Sequence, residues 1–271
     1  MNFFRLLTGM PEAKKVQTVS ERVVRGVAEF MQDAALPNPR QNIEIQVYNA
    51  KGTARKYRMP GRAQYYILVY GDEGQAVLNA GYLLKQGYEF LRSRKIPAKI
   101  LLQVPDELAE QHCLGMLAVN PMAERVRESR KDSGQNHFLI CQKNEEHWID
   151  DVAEAAGKML SAEMQTGVRI IRKEDAVHIA AGACFGRNRG MAEMHAGVVL
   201  GAFMAAAEEL WIDLEMVSLP NLEATAGSDY LITICRQSEK EKLLAKAKEE
   251  AERSKASSAQ TLGKDHMWKY A

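Results

Sequence analysis

The stretch HAGVVLGAFMAAA, residues 195–207, decides the fold that we predict for this chain. Apolar side chains cover nearly every side of the helix that it would form, and a helix that is apolar all round is a buried one. Gly197, Gly201 and Ala205 recur at every fourth position, so they form a smooth ridge that another helix backbone could approach closely. We therefore predict a buried central helix over about 191–210. The alternative is an ordinary core helix of an α/β protein.

A second long helix, predicted over 75–94, is the expected partner of this ridge. The residues Gly81, Leu84, Tyr88 and Leu91 share one of its faces. Two central helices packed across a pseudo-twofold axis would make the chain its own dimer. We therefore expect two half-repeats that form an intrachain pseudo-dimer, with the central helices buried between them.

The flanking elements support this repeat, because the order helix, strand, strand, long helix, strand, strand occurs twice. Hydrophobic periodicity predicts the remaining elements of the first half as a helix at 12–35 and strands at 43–47, 65–70, 96–104 and 114–119. The corresponding elements of the second half are a helix at 146–162 and strands at 168–171, 176–184, 212–218 and 229–235. The short matches that align the two copies are Val27-Ala28-Glu29 with Val152-Ala153-Glu154, and Ala80-Gly81 with Ala196-Gly197.

The repeat also sets the predicted domain boundaries and the fold class. The first half covers 1–123, and a polar segment at 124–145 is the predicted linker. The second half covers 146–236, and a charged, helix-prone tail follows at 237–271. Strands that alternate with long helices predict an α/β or α+β protein.

Composition argues against several classes of protein. The 271 residues carry a formal net charge of +1, so no global field attracts the chain to nucleic acid or to a membrane surface. The four cysteines are far apart and the six histidines lack metal-ligand spacing, which argues against a zinc site and against a disulfide framework. No export signal is evident, and the apolar run near 196–207 is short for a bilayer. We expect a cytoplasmic protein with no membrane or nucleic-acid partner.

The segment between the first helix and the first strand of the second half, LSAEMQTGV at 160–168, resembles a known sequence pattern. It is similar to the Pro-Ser-x-x-Asn-x-Gln-Pro-Trp segment that lines the flavin in the nitroreductase superfamily of FMN proteins. Ser161 matches the serine, whereas Met164 and Thr166 stand at the asparagine and glutamine positions. The stretch HAGVVL at 195–200 resembles the Asp-x-Gly-Ile-Ala-Leu opening of that family's central helix. The fused halves resemble the tandem branch of the superfamily.

This resemblance implies a nitroreductase-like fold and an FMN-dependent oxidoreductase, which takes a hydride from NAD(P)H and reduces a small-molecule electron acceptor. The residues that it assigns to FMN are Ser161, Arg130, Lys131 and Gly197. The two cations lie in VRESRK, 126–131, which resembles the family's basic segment, and they would bind the flavin phosphate. A solvated linker is the alternative for them, and a helix-ending serine that bonds backbone groups is the alternative for Ser161. The chain is expected to be a monomer.

The chain also departs from the family pattern. The family's opening Arg-x-Ser-x-Arg motif has no match, and Arg22 and Arg25 have a similar spacing one helix further along. Most polar groups that would bond the isoalloxazine edge are replaced, and each such loss costs roughly 1–3 kcal/mol. The alternative function is therefore a nitroreductase-fold protein without flavin that serves as a binding or interaction module.

Two other stretches could receive an anion. The first is a basic cluster formed by Lys51, Arg55, Lys56, Arg58 and Arg62, for which the exposed face of a hairpin is the alternative. The second is the loop at 182–190, whose arginines precede the second central helix and could receive an anion at its N-terminus. A plain loop is the alternative there.

Overall fold

The structure is a computed structural model of the 271-residue chain. It describes residues 18–50, 57, 59–60, 62–72, 76–121, 148–161, 163–165, 167–173, 175–182, 189–219 and 228–265, with side chains up to 253. The predicted linker at 124–145 lies outside these residues, and so does most of the loop at 182–190. Four residues of the basic cluster, Lys51, Arg55, Lys56 and Arg58, also lie outside them.

The first half forms one antiparallel sheet and its helices. Its elements are α1 (Glu21–Asp33), β1 (Ile43–Asn49), β2 (Ala63–Gly71), α2 (Val77–Ser93), β3 (Ala98–Leu101), α3 (Asp106–Ala109) and β4 (Cys113–Pro121). The strand order is β1-β2-β4-β3, and every pair is antiparallel. The central strands β2 and β4 are buried on both faces, which explains why β2 reads as a continuous apolar run rather than an alternating one.

The second half repeats this arrangement. Its elements are α4 (Trp148–Lys158), a 3₁₀ turn (Glu163–Gln165), β5 (Val168–Lys173), β6 (Ala176–Gly182), α5 (Arg189–Glu209), β7 (Leu214–Val217) and β8 (Ser228–Arg236). The strand order β5-β6-β8-β7 is that of the first sheet, again antiparallel throughout. A last helix, α6 (Lys240–Asp265), follows a short 3₁₀ turn at Gln237–Glu239 and agrees with the predicted helical tail.

Each buried residue of α1 has a buried counterpart on α4, which buries Trp148 and Gly157 in addition. The buried residues of α1 are Val24, Val27, Ala28 and Met31, and those at the positions 125 further along the chain are Ile149, Val152, Ala153 and Ala156. Strands β1 and β5 begin at the same separation, at Ile43 and Val168. The two halves therefore share one sequence register from the first helix to the first strand.

The two central helices, α2 and α5, cross at glycines. A Cβ on Gly197 would lie 2.8 Å from the amide nitrogen of Tyr82 and would overlap the carbonyl oxygen of Leu78. A Cβ on Gly81 would lie 3.1 Å from the amide nitrogen of Val198 and would overlap the carbonyl oxygen of Met194. Each helix backbone therefore occupies the space that a side chain on the other would need.

The predicted contact face of α2 is confirmed at Gly81. The other α2 residues that lie next to the glycines of α5 are Leu78, Tyr82 and Lys85, and Lys85 lies against Gly201. Of the apolar residues predicted to share this face, Leu84 points toward Gly115 of β4. The helix–helix contact therefore includes a lysine beside small and apolar residues.

Further elements cover the outer faces of the two sheets. On the first sheet, Leu108 of α3 and Tyr57 are buried with Leu68 and Met116, and sequence reasoning had not predicted α3. On the second sheet, Ala247 of α6 is buried in the cluster that lies on the outer face. The last helix therefore begins as part of the core.

Helix α5 is the one helix in the described part of the chain that is long and apolar enough to cross a membrane. Its mean hydropathy over 18 residues is 1.3, and 78% of that stretch is buried inside the fold. Its apolar surface is thus already covered by the two sheets and by α2 and α4.

Candidate functional site

A cavity of about 640 Å³ lies between the two halves of the chain. The first half contributes the loop at 37–41 and Leu78 at the start of α2. The second half contributes Glu193 from the first turns of α5, Ser218 from just after β7, and Tyr230 and Leu231 from β8. This volume falls within the range of small-molecule sites, roughly 300–1,000 Å³.

The loop that lines this cavity, between α1 and β1, is held in shape by its own residues. Pro37 and Pro39 restrict its backbone, and the side-chain oxygen of Asn38 accepts a hydrogen bond from the amide of Arg40 at 3.2 Å. The amide of Gln41 donates to the carbonyl oxygen of Asn38 at 3.4 Å. The result is a compact turn that places Arg40 and Gln41 at the cavity.

Gln41 is the most informative residue of this loop. Its side-chain oxygen Oε1 is buried and has no hydrogen-bond partner in the described part of the chain. Such a group is costly to bury and calls for an explanation, of which a missing ligand is one. Its position is 125 residues before Thr166, which stands at the glutamine position of the family segment. The first half therefore has a glutamine at the position where the second half has a threonine.

The local sequence pattern does not reveal this loop. The resemblance to the flavin segment is legible only at 160–168, where the serine is recognisable. The signal that would have found Gln41 is the constant separation of 125 residues between α1 and α4, continued through the loop into β1.

The charges around the cavity are mixed. Arg40 is exposed at one side, and the carboxylate of Glu193 is 8% exposed at the other. Arg189 ion-pairs with Glu193 at 3.0 Å and with Asp229 at 3.2 Å, and these partners raise the pKa of its guanidinium. The cavity thus offers one exposed cation, Arg40, and one carboxylate, Glu193, whose charge Arg189 balances.

The hydroxyl of Tyr230 is fully engaged in the fold. It accepts a hydrogen bond from the amide of Leu219 at 2.9 Å and donates to the carbonyl oxygen of Val217 at 3.2 Å. Burial raises the pKa of Tyr230 above its ordinary value. The residue therefore shapes the wall of the cavity, and its hydroxyl is a poor proton donor at neutral pH.

The residues predicted to bind FMN do not come together at this cavity in the described part of the chain. Ser161 is exposed, and its hydroxyl oxygen accepts a hydrogen bond from the amide of Met164 at 3.4 Å, so it caps the 3₁₀ turn. Gly197 lies at the crossing of the two central helices, where close packing accounts for the missing side chain. Arg130 and Lys131 lie outside the described residues.

The remaining candidate residues give less support for an anion site. On α1, Arg25 ion-pairs with Glu21 at 2.7 Å on the surface, as expected of neighbours one helical turn apart. Within the described residues, no cluster of histidine, cysteine and carboxylate side chains could hold a metal ion.

Comparison with known proteins bears on the fold. No protein-family model matches the chain, and no curated protein matches its sequence. A crystal structure from Thermotoga maritima, described as a "putative nitroreductase", is similar with a TM-score of 0.54 and 12% sequence identity. The match covers 81% of this chain and 86% of that one. At this identity the likeness shows a nitroreductase-like fold, and the fold alone.

Proposed function

We propose that this chain is a nitroreductase-like flavoprotein that binds FMN in the cavity between its halves, and that it uses NAD(P)H to reduce a small electron acceptor. The observation that carries the proposal is the buried, unpartnered Oε1 of Gln41, at the family's glutamine position and on the wall of that cavity. The nitroreductase-like fold supports it.

The residues around the cavity fit the chemistry of FMN. A planar isoalloxazine ring requires apolar walls, and Leu78, Leu231 and Pro37 supply them. The polar edge of the ring presents donors and acceptors, which suit the side-chain amide of Gln41. The phosphate requires a cation, and Arg40 is the cation that lines the cavity. The carboxylate of Glu193 would disfavour the phosphate near α5, so we expect the phosphate on the Arg40 side.

The other assignments extend this proposal. Arg130 and Lys131 are proposed as further ligands of the phosphate. Ser161 and the backbone at Gly197 are proposed as the contacts of a second, weaker flavin position at the loop of the second half. We further propose that the two halves act as the protomers of a pseudo-dimer, so that the chain works as a cytoplasmic monomer without a nucleic-acid or membrane partner.

When bound, FMN would accept a hydride from NAD(P)H and pass electrons to the acceptor. The chain's own contribution is to hold and enclose the flavin. The Gln41 amide would fix the ring edge, Leu78 and Leu231 would exclude water from the ring faces, and Arg40 would neutralise the phosphate. None of these steps requires an acid–base triad.

The test is a titration of the purified chain with FMN, followed by quenching of flavin fluorescence and by the visible spectrum after dialysis. Gln41→Ala is expected to weaken binding about tenfold or more, since a hydrogen bond to a buried polar ligand is worth about 1–3 kcal/mol. Arg40→Ala should weaken FMN binding and leave riboflavin, which lacks the phosphate, nearly unaffected. Arg253→Ala is the matched control, because it removes an exposed arginine of α6 that does not line the cavity.

A colourless chain that does not quench flavin fluorescence would rule the proposal out. It would favour the second candidate, a binding or interaction module with the same fold and no flavin. Two observations favour that candidate: Ser161 is used to cap a turn, and a carboxylate lines the cavity.

A further inference from the structure

Asn79 is a completely buried polar side chain in the first turn of α2, with 0% of its surface exposed. Its Oδ1 accepts a hydrogen bond from the backbone amide of Asn38 at 3.0 Å, and its Nδ2 donates to the backbone carbonyl of Asn38 at 2.8 Å. Both polar atoms therefore serve one residue of the loop that lines the cavity. These partners also fix the orientation of the Asn79 amide, because only one orientation presents an acceptor to the N–H and a donor to the C=O.

Asn38 in turn forms hydrogen bonds with the next residues of the loop. Its side chain accepts from the amide of Arg40, and its carbonyl oxygen accepts from the amide of Gln41. The side chains proposed to hold the flavin thus belong to a turn whose central residue is bonded to Asn79. A ligand that binds a loop already in its bound shape avoids the entropy cost of ordering it.

The internal repeat places Asn79 at the position equivalent to His195 of the second half. Asn79 stands two residues before Gly81, as His195 stands two residues before Gly197. Both occupy the aspartate position of the family's helix opening. The first half thus has an asparagine at this position, where the second half has a histidine. The asparagine amide offers one donor and one acceptor at every pH.

We propose that Asn79 is a positioning residue, which holds the loop at 37–41 in the conformation that presents Gln41 and Arg40 to FMN. The proposal rests on the proposed function for its ligand and on the two hydrogen bonds for its geometry. Asn79 acts through the loop and is not among the residues that line the cavity.

The first experiment compares Asn79→Ala with the wild-type chain by hydrogen exchange and by FMN titration. The amides of residues 38–42 should exchange faster in the variant, and the dissociation constant for FMN should rise about tenfold. Asn120→Gly is the control. It removes another buried asparagine, bonded to Gln64 at 3.0 Å, and glycine suits the φ of 51° at that position. The control should leave the exchange of 38–42 and the FMN affinity unchanged.

The second experiment uses Asn79→Asp, which keeps the acceptor and loses the donor. A protonated aspartic acid regains a donor, so the FMN affinity of this variant, taken as a ratio to wild type at each pH, should recover as the pH falls from 8 to 5. A purely structural role predicts no such recovery in the ratio. This variant also remains informative if Asn79→Ala fails to fold.

The outcomes separate the two proposals. If the wild-type chain binds no FMN, the proposed function fails, and the exchange of 38–42 alone decides the role of Asn79. If FMN binds but neither variant changes its affinity or the exchange of the loop, the positioning role is wrong while the flavin site stands.

Discussion

Gly81 and Gly197 occupy equivalent places on the two central helices, and each lies against the backbone of the other helix. A Cβ on Gly197 would be 3.0 Å from the Cα of Gly81. The backbone atoms that each glycine meets belong to the residues three before and one after the other glycine, namely Leu78 and Tyr82 on α2, and Met194 and Val198 on α5. The crossing is therefore nearly symmetric, as a twofold interface between identical protomers would be.

Side chains at this crossing are expected to be strongly destabilising. Gly197→Ala and Gly81→Ala should each lower the free energy of unfolding by about 3 kcal/mol, because the added methyl meets backbone that cannot move aside. Urea unfolding measures the change. Gly26→Ala on α1 is the control, because no atom lies within 4 Å of its added Cβ. It should stabilise the chain by about 0.5–1 kcal/mol. Equal effects at all three positions would contradict the close crossing.

Lys85, next to this crossing, forms a hydrogen bond from the first half to the second. It is 1% exposed, donates to the carbonyl oxygen of Met159 at 2.8 Å and pairs with Glu89 at 2.6 Å. Lys85→Ala should cost about 3–5 kcal/mol of stability, because it breaks a buried pair and empties a buried site, while Glu89 keeps Arg92 as its other partner. Lys85→Met, which keeps the apolar stem, should cost less. Thermal or urea unfolding of both variants checks this order, and the reverse order would contradict the close packing of the lysine stem.

The same lysine predicts a dependence of stability on pH. Burial lowers the pKa of Lys85, against the opposing effect of Glu89. A group whose pKa is lower in the folded chain binds fewer protons there, so its contribution to stability rises with pH between its folded value and the unfolded value of 10.5. The stability difference between wild type and Lys85→Met should therefore shift in favour of wild type as the pH rises toward 10.5. A constant difference would contradict the lowered pKa.

The helix crossing could be predicted from the sequence, and so could Gly81 on the contact face of α2, but Lys85 could not. A helix that is apolar all round with glycines at every fourth position must be buried against a backbone, and α5 meets both conditions. On α2 the contact with α5 includes Lys85, which lies against Gly201. The burial of a lysine depends on a distant carbonyl at Met159 and on Glu89, which no local pattern reveals.

The candidate site was recognised only in part for a similar reason. Ser161 stands in a segment whose local pattern is legible, and it proves to cap a turn. Gln41 has no local motif. Gln41 is recognised as a candidate only from the 125-residue register between the halves and from the cavity that residues of both halves line. Such a cavity depends on contacts between residues far apart in the sequence, which no local pattern shows.

Cys113 predicts a second dependence on pH, of the opposite sign. It is 3% exposed, and burial raises the pKa of its thiol to about 11. A raised folded pKa means that the stabilising effect is complete below the unfolded value of 9.0 and is lost as the pH rises to about 11. We expect wild type to lose about 2 kcal/mol relative to Cys113→Ala over this interval. Urea unfolding at pH 8 and pH 10.5 measures it, and parallel curves for the two proteins would refute the raised pKa.

The stoichiometry of flavin binding is also expected to be asymmetric. The loop of the first half retains Gln41, whereas the equivalent position of the second half holds Thr166. FMN bound per chain, measured by absorbance at saturation in equilibrium dialysis, should therefore approach one. A value of two would show that the second loop binds flavin equally well despite its substitutions.

The most direct measurement is a crystal structure of the chain grown with FMN. We expect one flavin between the halves, with its ring against Leu78 and Leu231, its polar edge on the Gln41 amide and its phosphate toward Arg40. Flavin at another place, or clear density for the cavity residues with no flavin at saturating concentration, would contradict it.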